Sequence, residues 1–381
     1  MDELKQFEKM NEPLPPRARK AFFGVLLLVL VGGYLLYRTF ASFSEYEVSS
    51  SYERKDAEQT GYVDFMGNLL SYSRDGAFYK DYEGNLIWNE TYEMTNPKIK
   101  TCEGKLLIYD KTGSRLFVES VSGNEGKIST NLPIVDADVA KNGNVVVLMQ
   151  NGDTGYLKLY NVKGEILASG EVHTKNTGYP MSIALSSGGD RFALSVVDVS
   201  GGDIKSTVLF YDFGPAGEEK SDHIVAKFSY SNMIVPEVDF VVNDEMIAFG
   251  DSEIVIFGNQ KEPKVKKELF LPSGIKNVFH NDRYFGFIFS DDEGQNRLSL
   301  YNMSASRRFE RIIDGAYTKA SMTKTNEVML TDGESVSIYT RLGVNKFSYV
   351  FSNGFLEIIP WESYRTYIVI EKEKIERVRL K

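Results

Sequence analysis

Eight times along this chain the same short pattern returns. A run that alternates apolar with other residues is closed in most copies by a small polar residue, with a glycine soon after. The copies are Ala77–Asp81 (AFYKD), Leu116–Ser120 (LFVES), Leu157–Asn161 (LKLYN), Val208–Asp212 (VLFYD), Ile254–Gly258 (IVIFG), Leu298–Asn302 (LSLYN), Val336–Thr340 (VSIYT) and Ile375–Arg379 (IERVR). Their last residues run from 81 to 379 in seven steps, a mean of about 43 residues. A fixed period of that size constrains the fold more than any other feature, because each unit must be one supersecondary element packed against its neighbours.

Just before each alternating run lies a more continuous apolar one, such as Val145–Met149, Phe192–Val197, Tyr284–Phe289 and Tyr367–Ile370. Runs of this kind belong to strands covered on both faces, while the alternating runs belong to strands half-covered. Asp75-Gly76, Asn142-Gly143, Asn151-Gly152, Gly201-Gly202 and Asp332-Gly333 separate the runs as turns. A pair of β-sandwiches also recurs in short strands, but does not repeat one four-strand phase eight times. The expectation is an all-β chain forming a single β-propeller of eight four-stranded blades, or seven if one irregular unit is not a blade. The last unit supplies only three strands after Gly354, which leaves an open sheet edge. The stretch Tyr46–Tyr52 (YEVSSSY) has no partner in the first unit and is expected to close the ring as the outer strand of the last blade.

Ahead of the repeat, residues 21–37 (AFFGVLLLVLVGGYLLY) contain no charge, and Thr39 and Phe40 extend them past Arg38. About 20 apolar residues span a bilayer as a helix. Lys5, Lys9, Arg17, Arg19 and Lys20 precede the segment and only Arg38 follows closely, so the N-terminus is expected in the cytoplasm and the propeller outside. The apolar core is longer than that of a cleaved signal peptide and ends in Tyr37-Arg38, a poor cleavage site. The chain therefore divides into a head (1–20), a transmembrane helix (21–40), a linker with the closing strand (41–58) and a propeller ectodomain (59–381).

Composition excludes several classes of function. One cysteine, Cys102, rules out an internal disulfide and a thiolate zinc site, and His173, His223 and His280 show no ligand spacing. Residues 1–40 hold six Lys/Arg against four Asp/Glu, whereas the remaining 341 hold 38 against 49. So acidic a main domain argues against a nucleic-acid partner. There is no Gly-x-Ser-x-Gly, and Asp136-Ala-Asp138 and Asp291-Asp292-Glu293-Gly294 lack the full ligand pattern of a calcium loop. No catalytic residue, metal or cofactor is expected.

Asp81-Tyr-Glu-Gly84-Asn-Leu-Ile-Trp88 resembles the Asp-x-x-Gly-x-x-x-Trp segment of quinoprotein-like propeller repeats, echoed in part by Thr112–Leu116 and Lys163–Leu167. A short basic head, one span, Tyr72–Gly76 (YSRDG) and Trp88–Tyr92 (WNETY) follow in an order similar to an uncharacterised family of membrane-anchored, WD-like propellers from clostridial Gram-positive bacteria. That resemblance covers nearly the whole chain. It implies a fold and a membrane location, and it transfers no catalytic residue.

The strands lining a propeller's channel are expected near Tyr62–Met66, Pro97–Thr101, Ile134–Ala140, Pro180–Leu185, Val235–Val241, Ile275–His280, Tyr317–Thr323 and Phe355–Ile359. They bring Asp64, Lys98, Lys100, Asp136, Asp138, Glu237, Asp239, Lys276, Lys319 and Glu357 to the channel. Such a mixed ring reads either as solvated structure or as a polar ligand site. The leading functional expectation is a non-catalytic platform for a protein or cell-envelope partner, held to the membrane by one helix. A ligand-sensing ectodomain and, less favoured, an enzyme acting on envelope polymers are the alternatives.

Overall fold

The computed structural model describes residues 16–57, 59–220, 222–241, 245–258, 262–315 and 317–381. Most of the expected head lies outside the described residues. The helix runs from Pro16 to Phe40, so it starts five residues before the uncharged segment. Pro16 suits the first turn of a helix, where its missing N–H is not needed.

Beyond the helix the chain forms eight four-stranded antiparallel sheets. Blades 1 to 7 take their strands in chain order, beginning at Gly61–Phe65, Pro97–Cys102, Ile134–Val139, Tyr179–Leu185, Glu237–Phe240, Ile275–His280 and Lys319–Met322. Blade 8 takes Glu357–Pro360, Thr366–Ile370 and Lys374–Leu380, and its outer strand is Tyr46–Glu53, paired antiparallel with Lys374–Leu380 from Tyr46↔Leu380 to Glu53↔Lys374. The ring closes with eight blades, through the segment expected to close it. Closure leaves no unpaired edge on the outer side of the last three strands.

The repeated sequence pattern is the third strand of each blade, and each part of it has a physical task. The closing Asp81 accepts the N–H groups of Glu83 and Asn85. Asn161 does the same for Lys163 and Glu165, Asn302 for Ser304 and Ser306, and Thr340 for Leu342 and Val344. The glycine that follows has a left-handed backbone, with φ of 90° at Gly84 and 83° at Gly164. The Asp-x-x-Gly likeness is thus a side-chain-capped turn. Just ahead of the cap, blades 1 to 7 each carry a bulge against the outer strand, and five of the seven have an aromatic ring there: Tyr160, Tyr211, Phe257, Tyr301 and Tyr339.

The continuous apolar strands are the second strands, and Val145–Met149 is fully buried. Each of the eight seams between adjacent blades holds one apolar cluster. That between blades 8 and 1 combines Ile368, Ile370 and Ile375 with Tyr62, Leu69 and Tyr82. Truncating a side chain such as Leu107, which has no exposed surface, to Ala would cost roughly 2–5 kcal/mol.

Turns on one face of the disc are tied to each other. Asn142 donates to Gly188 O, Asn281 to Thr323 O and Asn326 Oδ1, and Ser187 to Glu103. The helix joins this same face. Ser42 Oγ donates to Asn345 O, the Phe43 N–H to Lys346 O, and the N–H groups of Ser44 and Glu45 to Lys381 O.

Candidate functional site

All eight expected inner strands form, and they place the ten singled-out residues in five separate settings. The largest gathers Lys100 from blade 2, Asp136 and Asp138 from blade 3, and Glu237 and Asp239 from blade 5. The sequence reading left out a sixth member, His280, the last residue of the blade 6 inner strand. Its Nε2 lies 3.5 Å from Glu237 Oε1 and 3.7 Å from Asp239 Oδ2, and its ring packs 4.7 Å from that of Phe249. Reading the three histidines only for mutual spacing hid it; its place at the end of an expected channel strand was the available signal.

Asp136 and Asp138 are turned into the seam. An inner strand has no strand partner on its channel side, so its outward N–H groups need other acceptors. Asp136 Oδ2 accepts from Ile183 N (3.2 Å) and Asp138 Oδ2 from Leu185 N (2.8 Å), both on the inner strand of blade 4. Ser182 Oγ performs the same service one seam on, accepting from Val238 N of blade 5. The other oxygen of Asp136 accepts from Tyr109 Oη at 2.9 Å. Short polar side chains of one blade thereby cap the open edge of the next.

The electrostatics of the group are set by burial against mutual charge. Burial pushes the Asp138 carboxyl up to about 7, with Lys100 and its two backbone donors pulling the other way. Burial also raises Asp239, against the attraction of His280 and Lys100. The His280 hydrogen bond holds Glu237 below the usual carboxylate range. Burial opposes the charged forms of Lys100 and His280, but the surrounding carboxylates outweigh it and raise both. Among the described residues no carboxylate lies within 4 Å of the Lys100 ammonium.

The remaining residues pair elsewhere. Asp64 meets Lys324 Nζ at 3.1 Å and caps its own turn through Gly67 N. Lys319 pairs with Glu357 at 2.6 Å, and Lys276 donates to Asn296 Oδ1 at 2.6 Å. Lys98 is exposed. Among the described residues no group of three or more His, Cys, Asp or Glu is arranged to hold a metal ion. Cys102 is half-buried and its thiol is pushed up to about 11 by burial, the opposite of an activated nucleophile. Asp291, the calcium-loop candidate, caps a hairpin turn and pairs with Arg297 Nε at 2.7 Å.

A second buried network was not legible in the sequence. Lys346, on the outer strand of blade 7, has a side chain 1% exposed and donates to Glu327 Oε1 (2.6 Å) and Tyr367 Oη (2.7 Å). Tyr367 Oη donates in turn to Glu327 Oε2 at 2.9 Å. This network locks blade 7 to blade 8 next to the point where the helix joins.

These features define a closed eight-bladed β-propeller preceded by one helix long and apolar enough to cross a membrane, Lys20–Phe40, none of it buried. The chain belongs to the family of unknown function DUF5711, which matches it over residues 38–380. Among curated protein sequences none matches it. Its fold is similar to that of BamB from Moraxella catarrhalis, at 12% identity and a TM-score of 0.52, over 88% of this chain and all of that one. It is also similar to Sqt1 of Saccharomyces cerevisiae, at 12% identity and a TM-score of 0.55, over 90% of this chain and 99% of that one. The computationally designed Ika8 protein is similar at 10% identity and a TM-score of 0.55, over 89% of this chain and all of Ika8.

Proposed function

We propose that this protein is a membrane-anchored, extracytoplasmic β-propeller that serves as a non-catalytic platform for a protein or cell-envelope partner. One observation carries the reading: a helix with the length and apolarity of a membrane span runs directly into a closed propeller through a docked connection. A rigid, many-turned disc on an anchor holds a recognition surface at a set position near the bilayer. The basic residues that precede the uncharged segment support a cytoplasmic N-terminus.

A reporter enzyme active only outside the cytoplasm, fused after Lys381, tests the topology. Activity is expected; activity only of a cytoplasmic reporter at the same position would reverse the orientation. Crosslinking in intact membranes followed by purification of the full chain tests the platform. One reproducible envelope component is expected, and recovery of the chain alone over a range of crosslinkers would count against the reading.

A ligand-sensing role is the second reading. Lys100 favours it, since its ammonium feels four carboxylates without one reaching ion-pair distance among the described residues. If that role is real, Lys100→Ala abolishes function in a folded protein. If the group is structural, the variant remains functional.

A further inference from the structure

The connection between helix and propeller determines which face of the disc the membrane meets. The 21 residues Lys20–Phe40 make a helix about 31 Å long, close to the roughly 30 Å hydrocarbon thickness of a bilayer. This apolar part of the helix fills the hydrocarbon layer, so Phe40 falls at the interface. The next five residues do not act as a tether. Ala41 N–H still bonds to Tyr37 O at 2.8 Å, continuing the helix. Phe43 is 8% exposed, bridges to Phe347, and bonds through its N–H to Lys346 O at 2.7 Å. Arg365 lies over the Phe43 ring at 4.6 Å, and Arg38 lies over the Tyr364 ring at 5.3 Å. Beneath them sits the buried Lys346–Glu327–Tyr367 network. The helix is therefore clamped to the turn-bearing face at the seam of blades 7 and 8.

That part of the face has the chemistry of a membrane interface. Arg38 and Arg365 lie at the exit against the rings of Tyr364 and Phe43, a cation and aromatic mixture that sits well at headgroup depth. Leu342, in the adjacent turn of blade 7, is 41% exposed; on blade 1, Met66, in the turn after the inner strand, is 56% exposed, and Leu86 and Ile87, which begin the outer strand, are 54% and 46% exposed.

We propose that the propeller lies with this face on the lipid surface, its contact centred on blades 7, 8 and 1, with Leu342, Met66, Leu86 and Ile87 in the headgroup layer. The inference rests on the anchor reading above. It leaves the opposite face, where Lys319 and Glu357 begin their strands and Phe270 ends one, as the face presented to a partner.

Single cysteines placed in the full-length Cys102→Ser protein test this: Leu342→Cys, Ile87→Cys, Phe270→Cys and Val29→Cys, each carrying a fluorophore. The proteins are reconstituted in vesicles of equal parts phosphatidylcholine and phosphatidylglycerol, with a quencher on either the headgroups or the acyl chains. Headgroup quenching several-fold stronger at 342 and 87 than at 270 is expected, with acyl-chain quenching at 29. Equal headgroup quenching at 342, 87 and 270 with strong acyl-chain quenching at 29 overturns the face assignment and leaves the anchor standing. Absence of acyl-chain quenching at 29 overturns the anchor itself.

Discussion

Replacing Lys346 by Met isolates what the buried network at the helix junction contributes. The Lys346 side chain is 1% exposed and that of Glu327 10%. Both Glu327 oxygens are engaged, one by Lys346 and the other by Tyr367. Met fills much of the same volume as the lysine stem, so packing changes little. The Glu327 carboxylate, however, loses its counter-ion where water cannot replace it. Removing one partner of a buried pair costs about 3–5 kcal/mol, whereas removing both charges together is often close to neutral. In a propeller of this size that loss lowers the melting temperature by on the order of 5–10 °C. Lys346→Met/Glu327→Gln is expected to recover to within about 1–2 kcal/mol of the parent, because a neutral amide still accepts from Tyr367. Near-ultraviolet circular dichroism of the full chain in detergent micelles, followed through urea unfolding, measures all three proteins. A single variant within about 1 kcal/mol of the parent, or a double variant no more stable than the single, would refute the claim that this pair is desolvated.

Three further outcomes are expected. A protein beginning at Thr60 should melt well below one beginning at Ser44, with faster amide exchange at Ile375, Arg377 and Arg379, because the blade 8 edge loses Tyr46–Glu53; matching melting curves would contradict ring closure by that strand. The Asp138 carboxyl is raised from 3.8 to about 7 in the fold, so its contribution is greatest when protonated and fades as pH climbs from about 4 through 7. Asp138→Asn should therefore flatten the decline of unfolding free energy over that range, and an unchanged slope would place the proton elsewhere. With its thiol pushed up to about 11, Cys102 should react with an aromatic disulfide reagent at pH 8 about two orders of magnitude more slowly than free cysteine, and reach the free rate in denaturant.

The repeat period, the inner-strand positions and the closing role of Tyr46–Tyr52 were all readable because they rest on local patterns. Alternation, continuous apolarity and turn residues each report the environment of a single strand. The closing Asp, Asn and Thr residues of the third strand were visible as punctuation, and their task as turn caps follows from the same short range. The uncharged segment before the repeat was equally plain, since membrane-spanning length is a property of one continuous stretch.

Only the closed ring decided which charges meet. Asp136 and Asp138 read as channel residues, yet their oxygens serve the amides of Ile183 and Leu185 some 47 residues on, across a seam. His280 looked isolated until blade 6 was set beside Glu237 and Asp239 of blade 5. Lys346, Glu327 and Tyr367 come from three strands or turns of two blades, and no local pattern marks an outer-strand lysine as buried. Strand identity is governed by the period of the chain itself. Partnership between side chains depends on the angle and depth at which neighbouring blades pack, and that is set by all eight seams together.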